Sequence, residues 1–196
     1  MFERRYPSIT AYPDRDFFDY VYATADLAIL SGKKYLSIRR HLNRFRSKCR
    51  YEVEAINRDN LEEVKEFLEK WCVWKGCDEN PVLGEEKKAV LFAMDHFSAL
   101  DLSGLIIRVE GRVSAMAVYE MLNRDTAVVH FEKALPDCPG IYKGINQETA
   151  KELLDEARYI NRESDLGVAG LREVKLRYRP NHFVEVYYVK KEEIRV

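Results

Sequence analysis

His130 and Glu132 flank Phe131 near the end of an apolar run that starts at Thr126, and on a β-strand residues two apart project from one face. Either can take a proton from an attacking amine or hydroxyl, and Lys133 points to the other face. Tyr142 and Asn146, at i and i+4, share a face at the start of a helical pattern, where a tyrosine can return a proton to a leaving group. Gly140, Lys143 and Gly144 lie at the same helix start, whose backbone amides and neighbouring cation suit a phosphate. Further on, Asn161 and Glu163 share a face opposite Arg162, a guanidinium able to clamp a carboxylate or phosphate, and Arg172 is counted with this binding set. A base, an acid and an anion grip are the requirements of acyl transfer. The plainer alternative has Glu132 paired with a Lys or Arg across the sheet, His130 as an interior histidine, Tyr142 at the core edge and Arg162 in a surface ion pair. Cys138 has no His or other base near it in sequence, which argues against a covalent acyl-cysteine.

The elements that must position these residues are legible on either side of Pro136, Pro139 and Gly140. Thr126–Phe131 reads as a strand, Ile145, Ala150, Leu153 and Leu154 as one side of a helix, and Tyr159–Asn161 as a second strand. Strand, helix and strand make a βαβ-type unit with a right-handed crossover. The two strands are therefore expected side by side, diverging at their C-terminal ends, where ligands bind.

Upstream, residues 1–15 show no periodicity and read as a lead-in. Residues 16–30 are compatible with one or two helical segments stopped at Gly32, and Tyr35, Ile38, Leu42 and Phe45 mark one face of a second helix. Tyr51–Ile56 reads as a strand, the run from Leu61 to Trp71 as a helix, and Ala89–Phe97 as another ending near Leu100. Leu105–Val109 and Val113–Met121 form a hairpin about Gly111. Leu171–Tyr178 reads as a helix stopped by Arg179-Pro180, and Phe183–Val189 as a last strand. The expected fold class is α+β (mixed α/β): a helical N-terminal extension over residues 1–50 and a mixed sheet flanked by helices over residues 51–196.

Composition excludes several function classes. The chain has 196 residues, 46% hydrophobic and 33% charged, with a net charge of −1, which selects no partner by itself. Its four cysteines form no CxxC pair or Cys/His cluster, so they are expected as reduced thiols and no metal site is expected. The sequence has no signal-peptide core and no run of 18 apolar residues, which points to the cytoplasm and to no transmembrane segment. Charge is nonetheless uneven. Residues 33–50 hold Lys33, Lys34, Arg39, Arg40, Arg44, Arg46, Lys48 and Arg50 without an acid, whereas residues 51–69 are rich in Glu and Asp. Either those acids neutralise the basic face, or Arg39, Arg40 and Arg44 meet a polyanion such as tRNA or an anionic lipid surface, giving a peripheral membrane contact.

The element order resembles that of the Gcn5-related N-acyltransferases, in which a splay between the fourth and fifth strands admits the acyl carrier. More closely, the runs DYVYATADLAILSGKKYLSIRRHLNRF, HFEKA, GIYKGINQETA, INRESDLGVAGLR and KLRYRP, which span Asp19–Pro180, resemble the family built on the C-terminal domain of phosphatidylglycerol lysyltransferases. That resemblance implies acyl or aminoacyl transfer, with aminoacyl-tRNA or acyl-CoA as the donor and no certain cofactor beyond it. Two departures accompany it. The family usually carries two such folds in tandem, of which this chain matches the second, so a homo-oligomer or a separate partner fold would supply the first. The loop from Ala134 to Gly144 also lacks the Gln/Arg-x-x-Gly-x-Gly/Ala spacing that grips coenzyme A. The alternative reading is a noncatalytic binding module that docks an anionic partner through its basic helix.

Overall fold

The computed structural model describes residues 9–194. In chain order these form β1 (Tyr12–Pro13), β2 (Asp19–Ala23), α1 (Thr24–Ile29), α2 (Leu36–Lys48), β3 (Tyr51–Ala55), α3 (Leu61–Lys75), α4 (Pro81–Asp95), β4 (Ser103–Val109), β5 (Arg112–Met121), β6 (Thr126–Ala134), α5 (Ile141–Glu152), β7 (Tyr159–Asn161), α6 (Ala169–Arg177), β8 (His182–Val184) and β9 (Tyr187–Tyr188). The architecture is the expected mixed α+β one. The chain divides into a larger unit, Ala23–Ile160, and a smaller one made of Met1–Tyr22 and Asn161–Val196.

In the larger unit the strands lie in the order β3-β4-β5-β6-β7, and β3 to β6 are successively antiparallel. One face carries a core in which Val64, Phe67, Leu68 and Trp71 of α3 and Val90, Ala93 and Met94 of α4 pack with Ile106, Met116 and Val118. Each of these helices buries residues at three- and four-residue steps, as an amphipathic helix on a sheet must. On β4, β5 and β6 also rests α5, and α1 and α2 pack against α5. The strand pair anticipated from sequence is present. The Tyr159 amide donates to the Asp125 carbonyl at 2.9 Å, which sets the start of β7 beside the start of β6. Because β6 has nine residues and β7 three, the C-terminal half of β6 runs on past the end of its neighbour.

In the smaller unit β2 pairs with β8, Tyr20 opposite Phe183, and β1 pairs with β9, Tyr12 opposite Tyr188. Three expectations are corrected here. Asp19–Ala23 is a strand and not a helix, because Tyr20, Val21 and Tyr22 are all buried, and a strand covered on both faces has no alternation to reveal it. The Phe183–Val189 strand is split, since its two halves take different partners. Residues 9–15 of the lead-in include β1, while residues 1–8 lie outside the described residues. In the larger unit α4 starts earlier than its apolar pattern suggested: the Asn80 side chain accepts from the amides of Val82 and Leu83, and Pro81 occupies the first helical position.

The cysteines are a further correction. Cys49 is bonded to Cys138 and Cys72 to Cys77, with Cα separations of 6.3 and 5.0 Å, both within the range a disulfide requires. The first pair is 89 residues apart in sequence and is brought together where α2 crosses the start of α5. That crossing is close. Gly140, at φ 92°, has no room for a Cβ against the His41 carbonyl, and a Cβ on Gly144 would lie 2.7 Å from Phe45 Cε1. Gly144→Ala should therefore overpack the contact at a cost of about 1–3 kcal/mol, lowering the melting temperature by about 2–12 °C. An unchanged thermal transition would show that Phe45 moves aside freely.

Candidate functional site

Of the predicted catalytic and binding residues, His130, Glu132, Lys133, Gly140, Tyr142, Lys143, Gly144 and Asn146 belong to the larger unit, around the end of β6 and the start of α5. The ladder between β5 and β6 shifts register between Val118 and Tyr119: Phe131 stands opposite Val118 and Val129 opposite Tyr119. His130 is thus the extra residue of a β-bulge, and the two-residue alternation assumed from sequence is broken at that point. Its Nε2 lies 3.1 Å from Glu120 Oε1. Glu132 accepts a hydrogen bond from Asn146 Nδ2 at 3.1 Å, joining the β6 carboxylate to α5. Asn146 is buried, and its Oδ1 has no hydrogen-bond partner among the described residues. Lys133 is buried too. It forms an ion pair with Glu86 of α4, and its ammonium lies 4.4 Å from the centre of the Trp71 ring. Burial pushes the Lys133 pKa down, against the pull of the Glu86 carboxylate.

Tyr142, in the first turn of α5, reaches back to the sheet. Its hydroxyl accepts from Trp71 Nε1 at 3.2 Å and from the backbone of Ala134, at the end of β6 beyond the last residue of β7. Burial raises the Tyr142 pKa, so the phenol keeps its proton at neutral pH. A hydroxyl has two acceptor positions and one donor; with both acceptor positions occupied, the O–H is left to donate elsewhere. The amides at the start of α5 are largely used within the loop, Ile141 donating to Cys138 and Lys143 and Gly144 to Gly140. Gly140 and Gly144 accommodate α2. Trp71 and Glu86 are contributors that sequence alone did not single out. Trp71 reads as core from its position, which it is, while its indole N–H serves Tyr142.

The smaller unit holds Asn161, Arg162, Glu163 and Arg172. Asn161 Nδ2 donates to Asp19 at 2.9 Å and its Oδ1 accepts from the Glu163 amide at 2.7 Å. Glu163, Leu166 and Gly167 all have positive φ, an unfavourable conformation for the first two that the surroundings must enforce. Lys175 supplies part of that enforcement by donating to the carbonyls of Arg162 and Glu163. The Arg162 guanidinium lies over the rings of Tyr178 and Tyr22, at 5.2 and 5.8 Å. Arg172 is engaged by acids: its Nε and Nη2 each donate to Asp165 at 2.8 Å, and Nη2 also donates to Asp16 at 2.6 Å. Asp165 is fully buried and accepts further from Tyr20 at 2.5 Å and from the Gly167 amide at 3.0 Å. The Arg172 guanidinium holds its carboxyl well below the usual carboxylate range. Neither Asp165 nor Lys175 was anticipated, since sequence shows charge and not its burial.

The basic helix α2 splits into different roles. Arg39 donates to the carbonyls of Leu30 and Gly32 at 2.5 and 2.7 Å, closing the end of α1. Arg40 and Arg44 are exposed. Five of the seven acids of residues 51–69 are spent elsewhere: Glu54 and Glu63 on Arg108, Glu62 on Lys65, Glu66 on Lys70 and Glu69 on Lys87. A separate cleft of about 300 Å³ lined by Arg50, Tyr51 and Arg108 contains none of the predicted residues. Among the described residues no group of three or more His, Cys, Asp or Glu could hold a metal ion, and no helix is long and apolar enough to cross a membrane.

Residues 1–190 match the family described as phosphatidylglycerol lysyltransferase, C-terminal. A conserved protein of unknown function from Bacteroides thetaiotaomicron VPI-5482 is 38% identical, with a TM-score of 0.91 over 95% of this chain and 64% of that one. The C-terminal DUF2156 domain of a putative lysylphosphatidylglycerol synthetase from Agrobacterium fabrum is 14% identical, with a TM-score of 0.67 over 92% of this chain and 61% of that one. The L-PGS of Bacillus licheniformis is 15% identical, with a TM-score of 0.64 over 95% and 63%. At such low identity the last two establish a shared fold. This chain spans less than two thirds of the length of each of the three. No curated protein matches it significantly. The match over nearly the whole chain, on a structure of the same fold, means that the chain belongs to the phosphatidylglycerol lysyltransferase C-terminal family.

Proposed function

We propose that the chain is an acyl- or aminoacyltransferase whose proton transfers are handled at the end of β6. An amine or hydroxyl attacks the carbonyl of a thioester or an aminoacyl ester; Glu132 accepts the proton it loses, with His130 as the competing base, and the Tyr142 O–H protonates the departing thiolate or alkoxide. The observation that carries this reading is the Tyr142 hydroxyl, whose two acceptor positions are filled by Trp71 and Ala134 where β7 no longer flanks β6. Lys143 would meet a donor phosphate. Taken by itself, the smaller unit offers Arg162 and Glu163, on an enforced backbone, as charged contacts for a ligand, with Asn161 bracing the turn and Arg172 holding the loop that carries them. The donor is an aminoacyl-tRNA or an acyl-CoA. Both are to be screened with the full chain, alone and with a separately encoded first fold, for the release of free tRNA or thiol. Release from neither would refute the transferase reading. The reading places the protein in the cytoplasm, with peripheral membrane contact.

One observation favours a second reading, a module that binds a polyanion: Glu54, Glu62, Glu63, Glu66 and Glu69 pair with cations outside α2, and Arg40 and Arg44 are exposed. Arg40→Glu with Arg44→Glu should abolish binding to tRNA or to anionic vesicles at low salt, with the melting temperature nearly unchanged. Arg39 is left intact because its charge closes α1. Wild-type protein that binds neither probe would leave α2 a solvated face.

A further inference from the structure

The two disulfides differ in the exposure of one sulfur and in the charge beside it. Cys72 and Cys77 are buried within the hydrophobic cluster of α3 and α4 and link the end of a helix to the turn that follows it. Cys49–Cys138 joins distant parts of the chain. Cys138 is buried, but Cys49, at the end of α2, is partly exposed and stands between Lys48 and Arg50, both exposed. Exposed cations flank the accessible cysteine, and the exposed acid Asp137 precedes the buried one, so an anionic reagent is drawn to the Cys49 side of the bond. The Cys138 carbonyl also takes the Ile141 amide, the first hydrogen bond of α5, so this bond fastens α2 to the loop that launches the helix of Tyr142 and Asn146.

We infer that Cys49–Cys138 is a thiol-exchange site, at which an anionic low-molecular-weight thiol opens and its disulfide recloses the tether between α2 and the start of α5, while Cys72–Cys77 stays closed. The reagent thiolate attacks Cys49 Sγ, and the protein S–S bond breaks with Cys138 leaving as a thiolate that takes a proton. A second thiolate attacks the reagent sulfur of the mixed disulfide, releasing Cys49 and a small-molecule disulfide. Two electrons pass from two reagent thiols to the protein, and oxidation runs the same steps backwards. Opening removes the covalent fastening and leaves the Gly140 and Gly144 contacts with α2, so the fold persists and the loop loosens. The inference goes beyond the transferase reading and does not depend on it.

The test equilibrates the full chain in mixtures of reduced and oxidised glutathione, alkylates free thiols, and reads each cysteine by peptide mass spectrometry alongside amide exchange. Cys49 and Cys138 should become labelled together at mixtures that leave Cys72 and Cys77 unlabelled. Amide exchange over residues 138–147 should rise about tenfold as they do. Cys49→Ser should show the raised exchange even in oxidised glutathione, and Cys72→Ser should not. Labelling of Cys72 and Cys77 first or simultaneously, unchanged exchange on opening, or free Cys49 in fully oxidised buffer would each overturn the inference. The wild-type series decides it even where a variant fails to fold.

Discussion

Glu132→Gln should lower turnover by about 10²–10⁴-fold, the usual contribution of a general base, with the melting temperature unchanged. The glutamine keeps a carbonyl oxygen to accept from Asn146 Nδ2, so the link between β6 and α5 survives while the ability to hold a proton is lost. The measurement is a steady-state rate with whichever donor the screen identifies, beside a thermal denaturation curve. His130 is separable by substitution: if it is the base instead, His130→Gln should carry the loss of turnover that Glu132→Gln does not. A fully active Glu132→Gln would refute the role given to this carboxylate, whatever the donor.

Asp165→Ala should cost about 3 kcal/mol of stability, near the lower end expected for breaking a buried ion pair, or about 6–12 °C in melting temperature. The side chain of Asp165 is fully buried, whereas that of Arg172 is 32% exposed and keeps Asp16, which limits the penalty of leaving it behind. The same network sets an acid limb. The Arg172 guanidinium, helped by Tyr20 and the Gly167 amide and opposed by burial, depresses the Asp165 pKa in the folded state. A carboxyl depressed on folding contributes stability that is complete above its unfolded value, near pH 4, and is lost as pH falls below that towards the folded value. Denaturation followed from pH 7 down to pH 2 should show this loss, and Asp165→Asn should flatten it. A wild-type acid limb unchanged by Asp165→Asn would assign it to other carboxylates.

What was legible in the sequence was whatever local pattern decides. The hairpin about Gly111, the strand at Thr126, the helix after Gly140 and the strand at Tyr159 follow from turn residues and apolar spacing, and they position Glu132, Tyr142 and Asn146. Burial on both sides hid β2, since Tyr20, Val21 and Tyr22 alternate with nothing. Partner choice was hidden as well. The acids after residue 50 look suited to α2 by proximity in sequence, yet Glu54 and Glu63 converge on Arg108, which antiparallel pairing places beside β3. The Cys49–Cys138 bond required knowing that α2 crosses α5 at two glycines. Asp165 and Lys175 look like ordinary surface charges until the loop between β7 and α6 is seen folded around them.

The smaller unit draws its strands from residues near both ends of the sequence, and this bears on how the protein is made. Tyr20 leaves the ribosome long before its partner Phe183; at about 5–20 residues per second the interval is roughly 10–30 s. The larger unit is one continuous stretch and can close in that time. Asp19–Tyr22, an aromatic strand with both edges unpaired, must wait, and an unpaired apolar edge is a template for other chains. Translation speed and nascent-chain protection therefore bear on yield through this one early strand.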